Sequence, residues 1–194
     1  MRDLFAEGFQ IRTELYAQMV KNREFIKSVW KTRDTLMEAT SAGGKVLIFG
    51  NGGSAAEAQH FVAELVCRFE KKRRALPAIA LTTDSSILTA QSNDFGFDTV
   101  FSRQIEALCL PGDVVIGLTT SDACSNGHSQ NIFNAFGAAQ KKGAKRIGLF
   151  SIKTKNLVNF VDLAILVPAE NTALIQEAHL AIIHMLCGQI EKTL

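Results

Sequence analysis

The sequence predicts an α/β fold in which a parallel sheet is covered by helices on both faces. Short apolar runs alternate with helical segments along the chain, which is the pattern of strand–helix–strand units. The runs are apolar throughout, as expected for strands that are buried on both faces. The chain of 194 residues, 47% hydrophobic and 21% charged, is long enough for one domain with a full core.

The N-terminal part of the chain is helical. Residues 2–41 carry apolar side chains at helical spacing with charges between them, which predicts two helices that break near Lys21-Asn22 and end before Gly43. A pair of helices over residues 1–42 is too small to be stable alone. We therefore expect it to pack on the sheet or on a neighbouring subunit, within a single domain spanning residues 1–194.

The remainder of the chain alternates between strands and helices. Helices are predicted near residues 54–68, 84–92, 101–108, 129–142 and 172–191. The predicted strands are Val46–Phe49, Ala78–Leu81, Asp113–Leu118, Arg146–Phe150 and Leu163–Val167. Ligands bind beyond the carboxyl ends of the strands in such sheets, so the loops at those ends are the places to look for a site.

Composition narrows the classes of function. The net charge of +2 gives no argument for a nucleic acid or an anionic membrane as partner. No signal peptide and no apolar stretch approaching a membrane span is recognised, so we expect a cytoplasmic protein. The cysteines lack the spacing of a structural zinc site and are expected to be free thiols in a reducing compartment: Cys67, Cys109, Cys124 and Cys187.

A glycine-rich loop follows the first strand. Asn51, Gly52, Gly53 and Ser54 lie where a helix begins, and a helix N-terminus attracts anions. The loop is neither a dinucleotide fingerprint nor a nucleotide-binding P-loop, which favours a single phosphate or a polyol as ligand. The alternative is a tight strand-to-helix turn in which Ser54 serves only as the N-cap.

A second polar loop follows the third strand. Thr119, Thr120, Ser121 and Ser129 offer four hydroxyl groups close to backbone amides, a combination that suits a phosphomonoester. An ordinary polar loop would have a similar composition. Two such loops at neighbouring strand ends make a phosphate site the better interpretation.

Two helices carry groups that could move protons or bind a metal. His60 and Glu64 lie at positions i and i+4 and so share one helix face, although such a pair is often only a surface contact. Gln176 and His184 lie about 80° apart around the last helix and roughly 12 Å apart along it. That separation is near the limit for one metal ion, so contributions from two subunits are plausible. Alternatively, His184 is a core or interface histidine.

Taken together, the motifs resemble the bacterial phosphoheptose isomerases, which are sedoheptulose 7-phosphate isomerases of the SIS (sugar isomerase) superfamily. The resemblance runs through the chain in order and implies an SIS-type three-layer sandwich with a five-stranded parallel sheet. The motifs that carry it are GNGGSAAEAQHFVAEL, LPAIALTTD, Asn93–Phe97, Val100–Arg103, Pro111–Val114 and Ile175–His179, followed by His184.

The resemblance also implies roles for individual residues. Glu64 and His184 would be the acid/base pair, and the zinc-site residues, one zinc per subunit, would be His60, Glu64, Gln176 and His184. Substrate contacts would come from Asn51, Gly52, Gly53, Ser54, Glu64, Asn93, Asp94, Thr119, Thr120, Ser121, Ser129 and Gln176. The family implies a homotetramer with active sites between subunits, and a role in making the heptose of lipopolysaccharide core or a surface glycan.

The sequence departs from the family pattern in places. Residues 122–126 look like an insertion after the phosphate segment, which leaves Ser129 or Ser125 as the second phosphate serine, with His128 where the family has asparagine. We expect Asp122 to fold away from the phosphate, so that deleting the insertion leaves binding intact or tighter; otherwise its charge weakens the site. Ser151–Lys155 replaces a glycine-rich turn, and Leu174 replaces a common arginine.

Two other functions remain compatible with these motifs. A non-catalytic SIS regulator that binds a sugar phosphate or a replication initiator would need the phosphate loops but not the acid/base pair. An SIS isomerase acting on another phosphosugar would need both. The presence of Glu64 and His184 favours an enzyme.

Overall fold

The computed structural model describes residues 3–123 and 127–194. Within them the helices are α1 Leu4–Lys21, α2 Arg23–Ser41, α3 Gly53–Val66, α4 Ser85–Phe95, α5 Val100–Leu108, α6 Gln130–Lys141 and α7 Thr172–Thr193. The strands are β1 Val46–Gly50, β2 Ala78–Ala80, β3 Val114–Leu118, β4 Lys145–Ser151 and β5 Leu163–Val167. Two short 3₁₀ helices that the sequence did not predict lie at Phe97–Thr99 and Leu157–Phe160.

The sheet is parallel throughout, in the order β2-β1-β3-β4-β5. This confirms the predicted α/β fold with a five-stranded parallel sheet. The order reverses at β1, where β2 and β3 lie on opposite sides, and such reversals open the crevice in which ligands bind. Gly50 and Leu118 are register partners, so the loops that leave β1 and β3 start side by side.

Helices cover both faces of the sheet, each over its own apolar core. Val46 and Ile48 point into the core shared with α1, α2, α3 and α7, while Leu47 and Phe49 point into the core shared with α5 and α6. Successive side chains of a strand point to opposite faces, so one short run serves both cores. The result is the three-layer sandwich that the sequence predicted.

The N-terminal helices meet at Asn22, as predicted. Its side chain accepts a hydrogen bond from the Phe25 N–H and so caps α2, while its own N–H closes the end of α1. α2 packs against β5 and α7. α1 buries Leu15 and Met19, and its Arg12 forms a bidentate ion pair with Glu177 on α7. Both helices thus pack on the rest of the chain.

The last helix corrects one expectation. α7 has 22 residues and a mean hydropathy of 1.2, so by length and composition it could span a membrane, which the sequence analysis did not recognise. In the structure it lies against α3, α2 and the sheet, and it buries His179 and Glu191 along with its apolar residues. This packing is that of a core helix.

Candidate active site

The glycine turn between β1 and α3 depends on contacts that no side chain would allow. Gly52 is the N-cap of α3, with a positive φ of 54° that favours glycine. A Cβ on Gly50 would lie 2.7 Å from the Ser54 carbonyl oxygen, and a Cβ on Gly53 would overlap the Gln176 amide. The turn therefore brings the start of α3 directly against α7.

Ser54 does not cap the helix. It is the second residue of α3, it is 2% exposed, and the N-cap Gly52 has no side chain to offer. The alternative interpretation of this turn, with Ser54 as N-cap, is therefore wrong. The Ser54 and Ala55 N–H groups bond to the carbonyl oxygens of Asn51 and Gly52. An anion at this carboxyl edge of the sheet would therefore meet the N–H groups of the turn itself, at the start of α3.

An asparagine pair that the sequence analysis missed joins the two polar loops. The Asn51 and Asn131 amides donate to each other over 2.9 Å in both directions, and Asn131 is 2% exposed. Asn131 is the second residue of α6, so the pair ties the glycine turn to the helix after the second polar loop. The position of Asn131 at the start of a predicted helix, directly after a predicted phosphate loop, is the sequence signal that could have identified the pair.

The acid/base candidates form one cluster. His60 Nε2 lies 2.9 Å from His184 Nε2 and 3.2 Å from Glu64 Oε1. One donor atom from each of the three residues lies within 4.8 Å of the other two. Because two imidazole nitrogens at this distance need a proton or a cation between them, the cluster is built to hold one or the other. One nitrogen or oxygen ligand per residue also suits zinc, with a position left open for substrate.

The cluster lies on the seam between α3 and α7, which run side by side in the same direction. Gly53 contacts Gln176 at the start of the seam, and His60 contacts His184 further along. One chain brings His60, Glu64 and His184 together. These three residues therefore need no contribution from a second subunit to reach one site. Gln176 has its amide at the glycine turn, so the three converge without it.

A buried pair that sequence reasoning missed lies in the same seam. His179 is fully buried, its Nε2 lies 3.1 Å from the Phe150 carbonyl oxygen, and its Nδ1 lies 3.7 Å from Glu57 Oε2. A carbonyl needs a donor, so Nε2 carries a proton. Glu57 precedes His60 on α3, and His179 precedes His184 on α7. The buried pair therefore lies between the glycine turn and the cluster.

Cys187 borders the cluster without joining it. Burial, and then the nearby Glu64 carboxylate, raises the pKa of Cys187 to about 12. The thiol therefore stays protonated and does not act as a nucleophile near neutral pH. Cys67 and Cys109 are also free thiols, as predicted, while Cys124 lies outside the described residues.

Three hydroxyl groups of the second polar loop already have hydrogen-bond partners within the protein. Thr119 Oγ1 donates to the Ser121 carbonyl oxygen over 3.0 Å and accepts from the Ser121 N–H. Thr120 Oγ1 lies 3.4 Å from Thr172 Oγ1 at the start of α7. Ser129 Oγ lies 3.1 Å from His128 Nδ1, and Ser129 has a positive φ of 58°. Ser125 lies outside the described residues, so its role and that of Ser129 both stay predictions.

Asp122 is bound by backbone N–H groups rather than facing a ligand. Its carboxylate accepts hydrogen bonds from the N–H groups of Ala123, Lys155, Asn156 and Leu157. Burial alone would raise the pKa of Asp122, but these N–H groups hold it below the usual value. Asp122 thus caps the 3₁₀ helix Leu157–Phe160, and the inserted segment contacts the segment that departs from the family pattern after β4.

Asn93 and Asp94 lie apart from the cluster in this chain. Both are exposed near the end of α4, and the Asn93 amide donates to the Asp94 carboxylate over 2.8 Å. Their predicted contact with substrate stays a prediction.

Known proteins share this fold and sequence. The model of the SIS domain family matches residues 12–151, so the chain is an SIS domain protein. The phosphoheptose isomerase of Syntrophotalea carbinolica is 52% identical over 172 residues, covering 89% of this chain and 85% of its own. The solved structure of the Francisella tularensis phosphoheptose isomerase is 34% identical with a TM-score of 0.90 over 99% of this chain and 100% of that one. The structure from Neisseria gonorrhoeae is 36% identical, with a TM-score of 0.87 over 97% of both chains.

The chain therefore belongs to the phosphoheptose isomerase family. This confirms the resemblance drawn from the sequence motifs and the prediction that the protein is an isomerase enzyme.

Proposed function

We propose that this enzyme interconverts sedoheptulose 7-phosphate and glycero-manno-heptose 7-phosphate. The observation that carries the proposal is the convergence of His60, Glu64 and His184 on one point of the α3–α7 seam. The names of the relatives supply the substrate class, and two polar loops at the crevice between β1 and β3 supply a place for its phosphate.

The reaction needs a base and an acid that face neighbouring carbons. A base removes the proton from the hydroxyl-bearing carbon while an acid protonates the carbonyl oxygen, which gives an enediol. The other isomer forms when the hydroxyl on the first carbon loses its proton to become a carbonyl and the former carbonyl carbon takes up a proton. Glu64 and His184 supply a carboxylate and an imidazole for these two roles. Because packing already holds them together, little rearrangement is needed when the sugar binds.

His60, Glu64 and His184 suit zinc, with one ion per subunit. Gln176 is the proposed fourth ligand, for which its amide would have to move from the glycine turn to the cluster. Zinc held there would polarise the sugar carbonyl. The chain's own part is to fix the imidazoles: the His60 and His184 rings contact each other, and Phe69 stacks on the His184 ring with 5.3 Å between centroids.

The phosphate would bind at the other end of the seam. The glycine turn with Asn51, Gly52 and Gly53 presents backbone N–H groups, and Thr120, Ser121 and Ser129 present hydroxyls. Ser54, Asn93 and Asp94 are proposed further substrate contacts. The reciprocal Asn51–Asn131 amide pair supports this arrangement because it holds the two loops side by side.

We further propose a homotetramer in the cytoplasm with active sites between subunits. Apolar side chains of α1 and α2 lie exposed, among them Phe5 at 84% and Val20 at 74%, and such surfaces usually mark a partner. An intersubunit site would also account for the exposure of Asn93 and Asp94. The product would serve lipopolysaccharide core or a surface glycan, with neither nucleic acid nor membrane as partner.

Coupled turnover of sedoheptulose 7-phosphate, measured beside six-carbon ketose phosphates, tests the proposal. We expect turnover of the seven-carbon substrate to exceed that of the shorter ones. Faster turnover of a six-carbon substrate would reassign the enzyme within the superfamily. Tight binding of sugar phosphates without any turnover would indicate a regulator instead.

A further inference from the structure

A carboxylate at the far end of α7 holds the loop that follows α3. Glu191 is 4% exposed, and its carboxylate accepts hydrogen bonds of 2.8 Å from three successive backbone N–H groups, those of Phe69, Glu70 and Lys71. Arg73 Nε lies 3.1 Å from the same carboxylate. A buried charge with this many partners is costly to disturb, so the loop is fixed to α7 at this point.

The loop in turn holds the end of α3 that carries Glu64. The Arg73 guanidinium donates to the backbone carbonyl oxygens of Glu64 and Leu65. These are among the last carbonyls of the helix, which have no partner within it. Arg73 therefore links the Glu191 carboxylate to the backbone of the proposed base.

The same loop also contacts the other acid/base residue. The Phe69 ring stacks on the His184 ring, with 5.3 Å between centroids and 20° between planes. The His184 ring also contacts the His60 ring, with 5.0 Å between centroids. Because Phe69 packs against the face of the imidazole, it limits how far that ring can tilt.

We infer that Glu191 is a positioning residue for the acid/base pair, acting through Phe69 on His184 and through Arg73 on Glu64. It lies seven residues beyond His184 on α7 and is in none of the motifs described above. The inference deepens the proposed function, because its kinetic test uses the proposed reaction.

The first test is Glu191→Gln, which keeps the size of the side chain but turns an NH₂ group toward N–H donors. We expect kcat to fall by about 10–100-fold, the usual cost of losing a group that orients a ligand or base. The KM for the sugar phosphate should stay within about twofold, since the phosphate loops lie at the other end of the seam. A folded variant with wild-type kcat would overturn the inference.

Asp113→Asn is the matched control. Asp113 is also buried, at 2% exposed, and its carboxylate binds the N–H groups of Lys45 and Leu110 and the Lys45 ammonium. It lies directly before β3 and belongs to neither α3 nor α7. We expect this variant to lower the thermal midpoint and to leave kcat unchanged. An equal loss of kcat in both variants would mean general loosening rather than positioning.

Phe69→Leu keeps the test decisive if Glu191→Gln fails to fold. The substitution removes the stacked ring and leaves the backbone hydrogen bonds to Glu191 in place. We expect a several-fold loss of kcat, and in the double variant less than the product of the two single effects, because both act on His184 through one loop. Normal kcat in Phe69→Leu, or independent effects in the double variant, would contradict the inference.

Histidine ring resonances provide a readout that needs no substrate. The ring current of Phe69 should change the chemical shifts of the His184 ring protons, and this change is the displacement that is measured. The chain has four histidines, and the His184 signals are assigned as those that disappear in His184→Gln. Glu191→Gln should reduce that displacement and Asp113→Asn should not. An unchanged displacement would sink the positioning role. If wild-type protein fails to turn over the heptose phosphate, the proposed function fails while this test still decides the inference.

Discussion

The α3–α7 seam and the described part of the polar loop, residues 119–123 and 127–129, differ in how far they are organised before a ligand arrives. In the seam, His60, Glu64 and His184 already converge, because two packed helices hold them. In the loop, the Thr119 hydroxyl bonds to the Ser121 backbone and the Thr120 hydroxyl lies against Thr172. The difference indicates that the catalytic groups are set by the core, while the phosphate groups must exchange partners when the substrate binds.

That difference has an energetic consequence. Hydroxyl–backbone contacts at the surface contribute little and exchange readily with water or ligand. Side chains held by two helices packed over a buried apolar core can move only if the helices move together. Changes in the seam should therefore affect the rate, and changes in the loop should affect binding.

The largest expected effect comes from Glu64→Gln. The substitution keeps the size of the side chain and removes its basicity, so kcat should fall by about two to four orders of magnitude while substrate binding largely survives. Coupled turnover and calorimetric binding of the heptose phosphate would measure the two quantities. Glu106→Gln, at an exposed glutamate of α5, serves as the control. Near-normal turnover in Glu64→Gln would remove Glu64 from the chemistry.

Metal binding is the second way to test the seam. Protein purified without chelator should hold roughly one zinc per chain, and His60→Ala should hold far less, because it removes one of three converging donors. Elemental analysis measures both, with His128→Ala as the histidine control outside the cluster. Full activity of metal-free protein in strong chelator would remove zinc from the mechanism.

Loss of hydroxyls from the loop should have a smaller effect, confined to binding. Ser121→Ala and Ser129→Ala should each weaken binding of the sugar phosphate by about 1–3 kcal/mol, as expected for a hydrogen bond to a charged group. Thr35→Ala, at an exposed hydroxyl of α2 that bonds only to its own helix, is the control in the same calorimetric titration. Wild-type affinity in both serine variants would show that the phosphate binds elsewhere.

The smallest effect concerns stability alone. Asp122→Asn should cost about 1–2 kcal/mol, because the carboxylate caps a helical turn. The pKa of Asp122 is lowered from 3.8, so its contribution is fully present above that value and is lost as the pH falls through the lowered pKa. Denaturant unfolding should therefore separate wild type from variant at pH 6, and the difference should shrink as the pH falls below 3.8. An equal difference at pH 6 and at low pH would exclude the charge as the cause.

The same contacts revise the expected result of deleting residues 122–126. For binding, the prediction stays that the deletion leaves it intact or tighter, because it restores the family's usual length. The deletion would also leave the N–H groups of Lys155, Asn156 and Leu157 without their acceptor. We now expect a loss of stability at least as large as that of Asp122→Asn.

The sequence alone determined the features that depend on local order. Apolar runs and helical spacing defined the strands and helices to within a few residues, and the glycines of residues 50–53 marked the turn because only glycine fits there. His60 and Glu64 could be paired because they are one helical turn apart. Motif order was enough to indicate the family.

Only the tertiary structure decided which distant groups meet. His184 joins His60 across 124 residues, Asn131 pairs with Asn51 across 80, and Glu191 holds a loop more than a hundred residues earlier in the chain. Periodicity assigns a residue to a face of its own helix, but the relative axial position of α3 and α7 follows from how their side chains interlock over the sheet. That packing places the Glu191 carboxylate where it binds the loop that contacts both acid/base residues.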